Sequence, residues 1–320
     1  MSLREALAGE ALVFTGEVGP PKGIDCDEVW EEAEDFRDKV AAVNVTDNQS
    51  SVMRISGLAA CIKLKQMGIE PVLQLVCRDR NRLALQSELL GAAIWGIENV
   101  LALTGDHIAL GDHPQGRPVH DLDSVTLLQA VTALMNGRDL AGNRLDGAWK
   151  RVRLPKPKDG SKQKRKFKYE GPIPEKCPTY LPGAVVTPCA EPVEPQILKL
   201  EKKVAAGAKF IQTQAVYEPA ALERFMKAAE HVGVPILAGI VMLKSAGMAR
   251  FMNGNVAGVS VPDHLIQRLA DASKEDLQKV SIDITAELMR DMAGMCKGFH
   301  LMPLGWSKPA VEAIEAAGLS

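Results

Sequence analysis

The stretch VEPQILKLEKKVAAGAKFIQTQA, residues 193–215, decides the fold class. Val193, Ile197, Leu200 and Val204 recur at helical spacing, so residues 193–206 read as an amphipathic helix. Gly207 follows where a helix stops, because glycine accepts the left-handed backbone that closes a last turn. Residues 209–215 then read as a short apolar strand of the kind a parallel sheet buries on both faces. Helix, glycine, strand is the repeating unit of an α/β protein.

The unit recurs in both directions along the chain. Strands are expected at 12–18, 42–46, 71–77, 100–104, 183–187, 209–215, 235–241 and 298–302. Gly68, Gly96 and Gly233 repeat the stop before a strand, and residues 219–232 carry Leu222, Phe225, Met226 and Ala229 on one helical face. The last helix is expected to begin after Ser307 as N-cap and to end at Gly318. Residues 260–296 hold two helical stretches instead of one. Eight strands alternating with helices imply a closed (β/α)8 TIM barrel or a doubly wound sheet. No Gly-x-Gly-x-x-Gly follows the first strand, which counts against the dinucleotide-binding sheet. A single barrel domain over residues 1–320 is the expectation.

Residues 149–182 break the pattern. Ten Lys/Arg and one acid, Asp159, fall between Lys150 and Lys168, so this stretch contributes +9 and leaves −11 for the rest of a chain whose formal charge is −2. With Pro155, Pro157, Gly160 and Ser161 it reads as a solvated basic insertion before the fifth strand: a flexible loop or a docking arm for an acidic partner. The near-neutral total points to neither nucleic acid nor membrane. Six cysteines without a CxxC pair, and an N-terminus without a long apolar core, lead to the expectation of a reducing, cytoplasmic protein. His107, His113 and His120 are spaced in one loop without a Cys or acidic cluster, so no metal site is expected.

Barrel enzymes carry their chemistry where strands end. The first strand runs into Glu17, the second ends Thr46-Asp47-Asn48-Gln49, the third carries Gln74, the fourth ends Thr104-Gly105-Asp106, and the sixth carries Gln212 and Gln214. A polar side chain inside an apolar strand needs a partner. Several from different strands, meeting at one rim, suggest a site without naming its reaction.

The segments Gly16-Glu17-Val18-Gly19-Pro20-Pro21-Lys22, Val45-Thr46-Asp47-Asn48, Leu101 to Asp106 and Leu200 to Gln214 resemble the methylenetetrahydrofolate reductase family, in order and at similar spacing. Gly239-Ile240 and Gly298-Phe299-His300 extend the likeness over nearly all of the chain outside the basic insertion. The resemblance implies a TIM barrel with flavin, FAD by default or FMN, over the C-terminal rim. It implies reduction of 5,10-methylenetetrahydrofolate to 5-methyltetrahydrofolate by hydride from flavin N5. The folate ring must open first, which requires protonation of N10, and Glu17 falls at the family's general acid. Asp106 matches an aspartate beside flavin and pterin, implying pterin binding and electrostatic tuning of flavin and Glu17. Gln214 matches the pterin-binding glutamine, whose amide can make two hydrogen bonds to the pterin edge, with Gln212 beside it on the same strand face. Lys203 matches a lysine near the flavin phosphates. Thr46, Gln74, Leu103, Thr104, Gly105 and His120 fall at flavin-contact positions.

Two departures bear on the electron donor. After the seventh strand the chain reads Val241-Met242-Leu243-Lys244-Ser245-Ala246, with no aromatic residue until Phe251. After the eighth, Leu304-Gly305-Trp306 stands where a basic residue is common in the family. Both put direct use of NAD(P)H in doubt, although Trp306 could stack on a flat ring. The opening motif resembles the anaerobic branch, which implies an iron–sulfur or zinc-containing partner subunit in a homo- or hetero-oligomer. Other readings are a flavin-bearing electron-transfer subunit and a pterin-binding barrel methyltransferase without flavin.

Overall fold

A computed structural model describes residues 1–154 and 167–319. Its strands are β1 (Val13–Val18), β2 (Ala42–Val45), β3 (Pro71–Val76), β4 (Asn99–Leu103), β5 (Trp149–Arg153), β6 (Phe167–Pro172), β7 (Leu181–Val186), β8 (Phe210–Ala215), β9 (Ile236–Val241) and β10 (Gly298–Met302). β1, β10, β9, β8, β7, β4, β3 and β2 close in that order into a barrel whose register is parallel throughout. The fold is the expected TIM barrel, and each expected strand is found with ends shifted by no more than two residues. Gly68, Gly96, Gly207 and Gly233 all have positive φ, which explains why glycine ends these helices.

The barrel interior is layered. Val13, Ala42, Val72, Leu101, Leu181, Phe210 and Leu237 form an apolar plug near the strand N-termini, closed below by Leu3 of the helix Leu3–Ala8. Phe210 fills the plug only because Gly183 faces it: a Cβ at Gly183 would stand 2.3 Å from the ring. Two residues further along the strands the inward positions turn polar, at Thr15, Asn44, Gln74 and Gln212, all buried. The larger core lies outside the barrel, between strands and helices. Residues 260–296 hold two helices, Asp263–Asp271 and Leu277–Met292, as their pattern implied. Ser307 is the first residue of the last helix and not its cap; its hydroxyl donates instead to Asp35 Oδ2 at 2.7 Å.

β5 and β6 form an antiparallel hairpin in the basic segment, where a loop had been one expectation. The guanidinium of Arg151 lies over the Phe167 ring at 3.5 Å, Arg144 over Tyr169 at 3.9 Å, and Arg138 over Trp149 at 4.4 Å. Residues 155–166, with most of the prolines and lysines read from sequence, lie outside the described residues. The hairpin joins the helix Ser124–Met135 to the start of β7, and Leu181 N donates to Glu98 O just before β4. It therefore emerges at the N-terminal end of the barrel. Among the described residues no helix is long and apolar enough to cross a membrane.

Candidate active site

At the opposite end, a cavity of about 480 Å³ opens at the strand C-termini, within the range that holds small ligands and cofactors. Glu17, Thr46, Gln74, Leu103, Thr104, Gly105, Asp106, Lys203, Gln212 and Gln214 all line it. His120 does not; it is exposed, in a loop with φ +40°.

Glu17 sits at the floor, 8% exposed. Its Oε2 accepts from Gln74 Nε2 at 2.8 Å and lies 3.5 Å from His300 Nε2, a longer contact. The other ring nitrogen, His300 Nδ1, is 2.9 Å from Thr15 Oγ1. That hydroxyl already accepts from Gln212 Nε2 at 3.2 Å. It donates to Nδ1 or accepts from it, according to the tautomer of the ring. In the tautomer in which Thr15 donates, the ring proton sits on Nε2, 3.5 Å from Glu17 Oε2. Gln212 is itself fixed by Asn44, whose Nδ2 donates to Oε1 at 2.8 Å and whose Oδ1 accepts from Nε2 at 3.2 Å. Thr15, Asn44 and His300 were not singled out from the sequence. Threonine is ordinary in a strand, and only their stacking on neighbouring strands joins them to Glu17.

Gln212, Thr213 and Gln214 all reach the cavity, although strict alternation would turn Thr213 away. The register between β8 and β9 shifts between Gln212 and Ala215, a bulge that turns consecutive residues inward. Gly239 makes room: a Cβ there would stand 2.2 Å from Thr213 O, and its N–H donates to Thr213 Oγ1 at 2.8 Å. Gln212 spends its amide on Asn44 and Thr15. Gln214 Oε1 accepts from the adjacent Ala215 N–H at 3.1 Å, and its amide N–H groups have no acceptor among the described residues.

The loop after β2 is held in an unusual backbone: Asn48, Ser50 and Ser51 have φ of 46°, 57° and 60°, each costing of order 1–3 kcal/mol. Arg78, 2% exposed, fixes it. It donates to Asn48 O at 3.1 Å, Ser51 Oγ at 3.0 Å and Asp106 O at 3.4 Å, while Asp79 neutralises it. Asp47 accepts from Val76 N at 2.8 Å and pairs with Arg80. Burial raises its pKa and the Arg80 charge works against that. Thr46 Oγ1 is buried and has no hydrogen-bond partner among the described residues. Asp106 is exposed on the rim, and no hydrogen bond or ion pair joins it to Glu17 among the described residues.

Lys203 reaches the cavity from the helix Glu194–Ala205. Its Nζ donates to Val185 O at 2.5 Å. Burial, reinforced by the charge of Lys199, lowers its pKa. Lys199 lies one turn earlier and lines the same cavity. The charge of Asp123 works against that shift, and two cations on one cavity wall suit a phosphate.

A family model described as methylenetetrahydrofolate reductase matches residues 2–137 and 179–318. "Methylenetetrahydrofolate reductase 2" of Schizosaccharomyces pombe is 25% identical over 264 residues, which are 78% of this chain and 36% of that protein. "Probable methylenetetrahydrofolate reductase (NADPH)" of Caenorhabditis elegans is 22% identical over 278 residues, 85% of this chain and 36% of that protein. The chain thus spans only 36% of the length of each of these curated relatives. Among solved structures, an uncharacterized protein from Clostridium thermocellum that binds two copies of 5-methyl-5,6,7,8-tetrahydrofolic acid shares the fold over 99% of both chains, with TM-score 0.58 and 15% identity. The family match skips only residues 138–178, the segment that carries the hairpin, and so runs through every barrel strand: the chain belongs to the methylenetetrahydrofolate reductase family.

Proposed function

We propose that this chain reduces 5,10-methylenetetrahydrofolate to 5-methyltetrahydrofolate with a bound flavin, and that Glu17 is the general acid. The observation that carries this reading is one buried carboxyl group on the cavity floor, whose Oε2 accepts from Gln74 Nε2 at 2.8 Å and stands 3.5 Å from His300 Nε2. The cavity suits a flavin. Buried Thr46 Oγ1 lacks a partner among the described residues. Gly105, at φ +88°, brings backbone to the wall where a Cβ would stand 3.1 Å from Val76 Cβ. Lys203 and Lys199 provide charge for the phosphate of FAD or FMN. Flavin, when bound, supplies the hydride.

Glu17 passes its proton to N10 of the folate, which opens the five-membered ring. Gln74 and His300 then hold the carboxylate left behind, a charged acceptor for which hydrogen bonds are strong. Gln214 offers its free amide to the pterin, and Asp106 on the rim accepts from the pterin's N–H groups. Gln212 acts one step back, by orienting Thr15 and through it His300. Electrons reach the flavin at the rim from a partner protein, since the loops after β9 and β10 lack the family's common aromatic and basic residues. The barrel separates this rim from the hairpin, so the hairpin lends no support to that donor.

A second reading is favoured by the Clostridium thermocellum protein, which binds two copies of the methylated folate: the cavity here holds folate without flavin. Protein purified without oxygen separates the two. A flavin spectrum, with reduced flavin reoxidised by methylenetetrahydrofolate, is expected from the proposed enzyme; a colourless, flavin-free protein would overturn it. NADH oxidation by the chain alone, at a rate set by methylenetetrahydrofolate, would overturn the partner as donor.

A further inference from the structure

The hairpin sorts its charges by face. Arg151 stands opposite Tyr169 and Arg153 opposite Phe167, so the four side chains share one face of the β5–β6 sheet. Arg144, which precedes β5, joins that face by lying over the Tyr169 ring. Lys150, Lys168 and Glu170 meet on the other face, where Glu170 pairs with the two lysines at 3.2 and 3.1 Å. Glu170 is the only acid of the two strands, so the arginine face carries three exposed positive charges and no negative one from either strand. We propose that this face binds an extended acidic segment of a partner protein. The proposal does not depend on the chemistry at the rim, which lies at the opposite end of the barrel. The family match skips residues 138–178, which hold the whole hairpin.

The arginines are arranged for carboxylates. The guanidinium of Arg144 makes no hydrogen bond or ion pair among the described residues, although it shares a notch of about 430 Å³ with Asp146, Trp149 and Tyr169. Lying over a ring, a guanidinium keeps its plane fixed and its N–H edge free, and that edge matches the two oxygens of a carboxylate. Arg151 lies over Phe167 in the same way. Arg151 and Arg153 are two residues apart on a strand, roughly 7 Å, which is the interval between alternate side chains of any extended chain. Carboxylates at every second position of an extended segment therefore meet successive arginines. Nucleic acid fits less well. Single strands bind by stacking bases on aromatic rings, and here guanidinium groups already lie over both rings. Between Lys150 and Lys168 ten Lys/Arg stand against one acid, a field that draws an acidic partner to this end of the barrel.

The probe is a fluorescein-labelled octapeptide of alternating Glu and Thr, titrated into the full chain at low salt and read by anisotropy. The wild type should bind it several-fold more tightly than a peptide of four Glu followed by four Thr. No binding, or equal binding of the two peptides, would overturn the proposal, and this comparison needs no variant to fold. Arg151→Gln together with Arg153→Gln should weaken binding by about 5- to 30-fold, as for loss of two exposed ion pairs. Lys150→Gln together with Lys168→Gln removes the same charge from the other face and should weaken it by less than about threefold. Equal losses would mean attraction to net charge alone and remove the face as a site. Octathymidylate serves as competitor. Displacement of the labelled peptide at a lower concentration than the unlabelled peptide requires would give the face to nucleic acid and overturn the acidic segment. Sedimentation velocity of the chain alone tests for a second copy: self-association that the peptide disperses would put another copy of this chain on the face and overturn a separate partner.

Discussion

A single hydroxyl, that of Thr15, stands 2.9 Å from His300 Nδ1, and when it donates there the ring proton faces Glu17 from Nε2. Thr15→Val removes the donor to Nδ1, so the imidazole proton can shift there and Glu17 loses a partner. Turnover of methylenetetrahydrofolate should fall by about 10-fold, with its pH profile displaced and KM little changed, as expected of a group that assists proton transfer indirectly. An unchanged pH profile would remove His300 from the chemistry. Glu17→Gln should cut folate reduction by roughly 10²–10⁴-fold while flavin binding survives; retained turnover would refute the acid assignment. Lys203 gives the site a pH limit. Its charge is lost as pH rises through a pKa that burial sets below the ordinary 10.5. Flavin affinity, read by fluorescence quenching, should weaken in that alkaline window, and Lys203→Met should abolish the dependence. Stability runs the other way: between the lowered value and 10.5 the folded state binds fewer protons than the unfolded, so the flavin-free protein gains stability as pH rises. Glu17, Gln74 and Gln212 were legible in the sequence because polar residues interrupt apolar strands. Thr15 and Asn44 were not, since one residue gives no sign of what the neighbouring strand sets against it.

At the scale of elements, the β8 bulge is the feature that periodicity could not supply. An alternating pattern assigns Gln212 and Gln214 to one face and Thr213 to the other, whereas the register shift lets all three line the cavity. Gly239 on β9 makes the bulge fit. Gly239→Ala would force a methyl group within 2.2 Å of Thr213 O, which should destabilise the fold by about 1–3 kcal/mol in urea unfolding and raise KM for folate by displacing Gln214. Gly254→Ala serves as control. It lies in the helix Ala246–Asn255 with nothing within 4 Å of its added Cβ, and should stabilise slightly by helix propensity. Equal effects from the two changes would show that the bulge is not what Gly239 protects. Strand positions were readable because each strand is short and mostly apolar, and β3, β4, β8 and β9 each follow a glycine stop. The hairpin was hidden, because the Arg151–Phe167 pair forms across its strands and reads in sequence only as part of a basic run.

The two ends of the barrel are different surfaces, separated by strands of about six residues that rise roughly 3.3 Å each. The C-terminal rim gathers the carboxyl group, the amides and the two lysines. The N-terminal end carries the hairpin, and the barrel's interior there is filled by a plug that includes Leu3 and Phe210. That distance, about 20 Å, is more than twice the Debye length at physiological salt, so charge on the solvent-exposed hairpin acts only weakly on Glu17. The hairpin should therefore be dispensable for chemistry. Trp149 and Pro172 are direct partners across its base, and Ile173 N donates to Ala148 O at 2.7 Å just below. Residues 150–171 can accordingly be replaced by a two-residue Asn-Gly turn without stretching the chain. The shortened protein should reoxidise reduced flavin with methylenetetrahydrofolate within twofold of the wild-type rate, and its Tm should move by only a few degrees. A tenfold loss of rate with Tm unchanged would mean that the N-terminal end communicates with the rim, and the separation of surfaces would fail. If the rate holds in the isolated chain but electron delivery by a partner protein collapses, the hairpin is a docking arm, and the partner must reach around the barrel to meet the flavin.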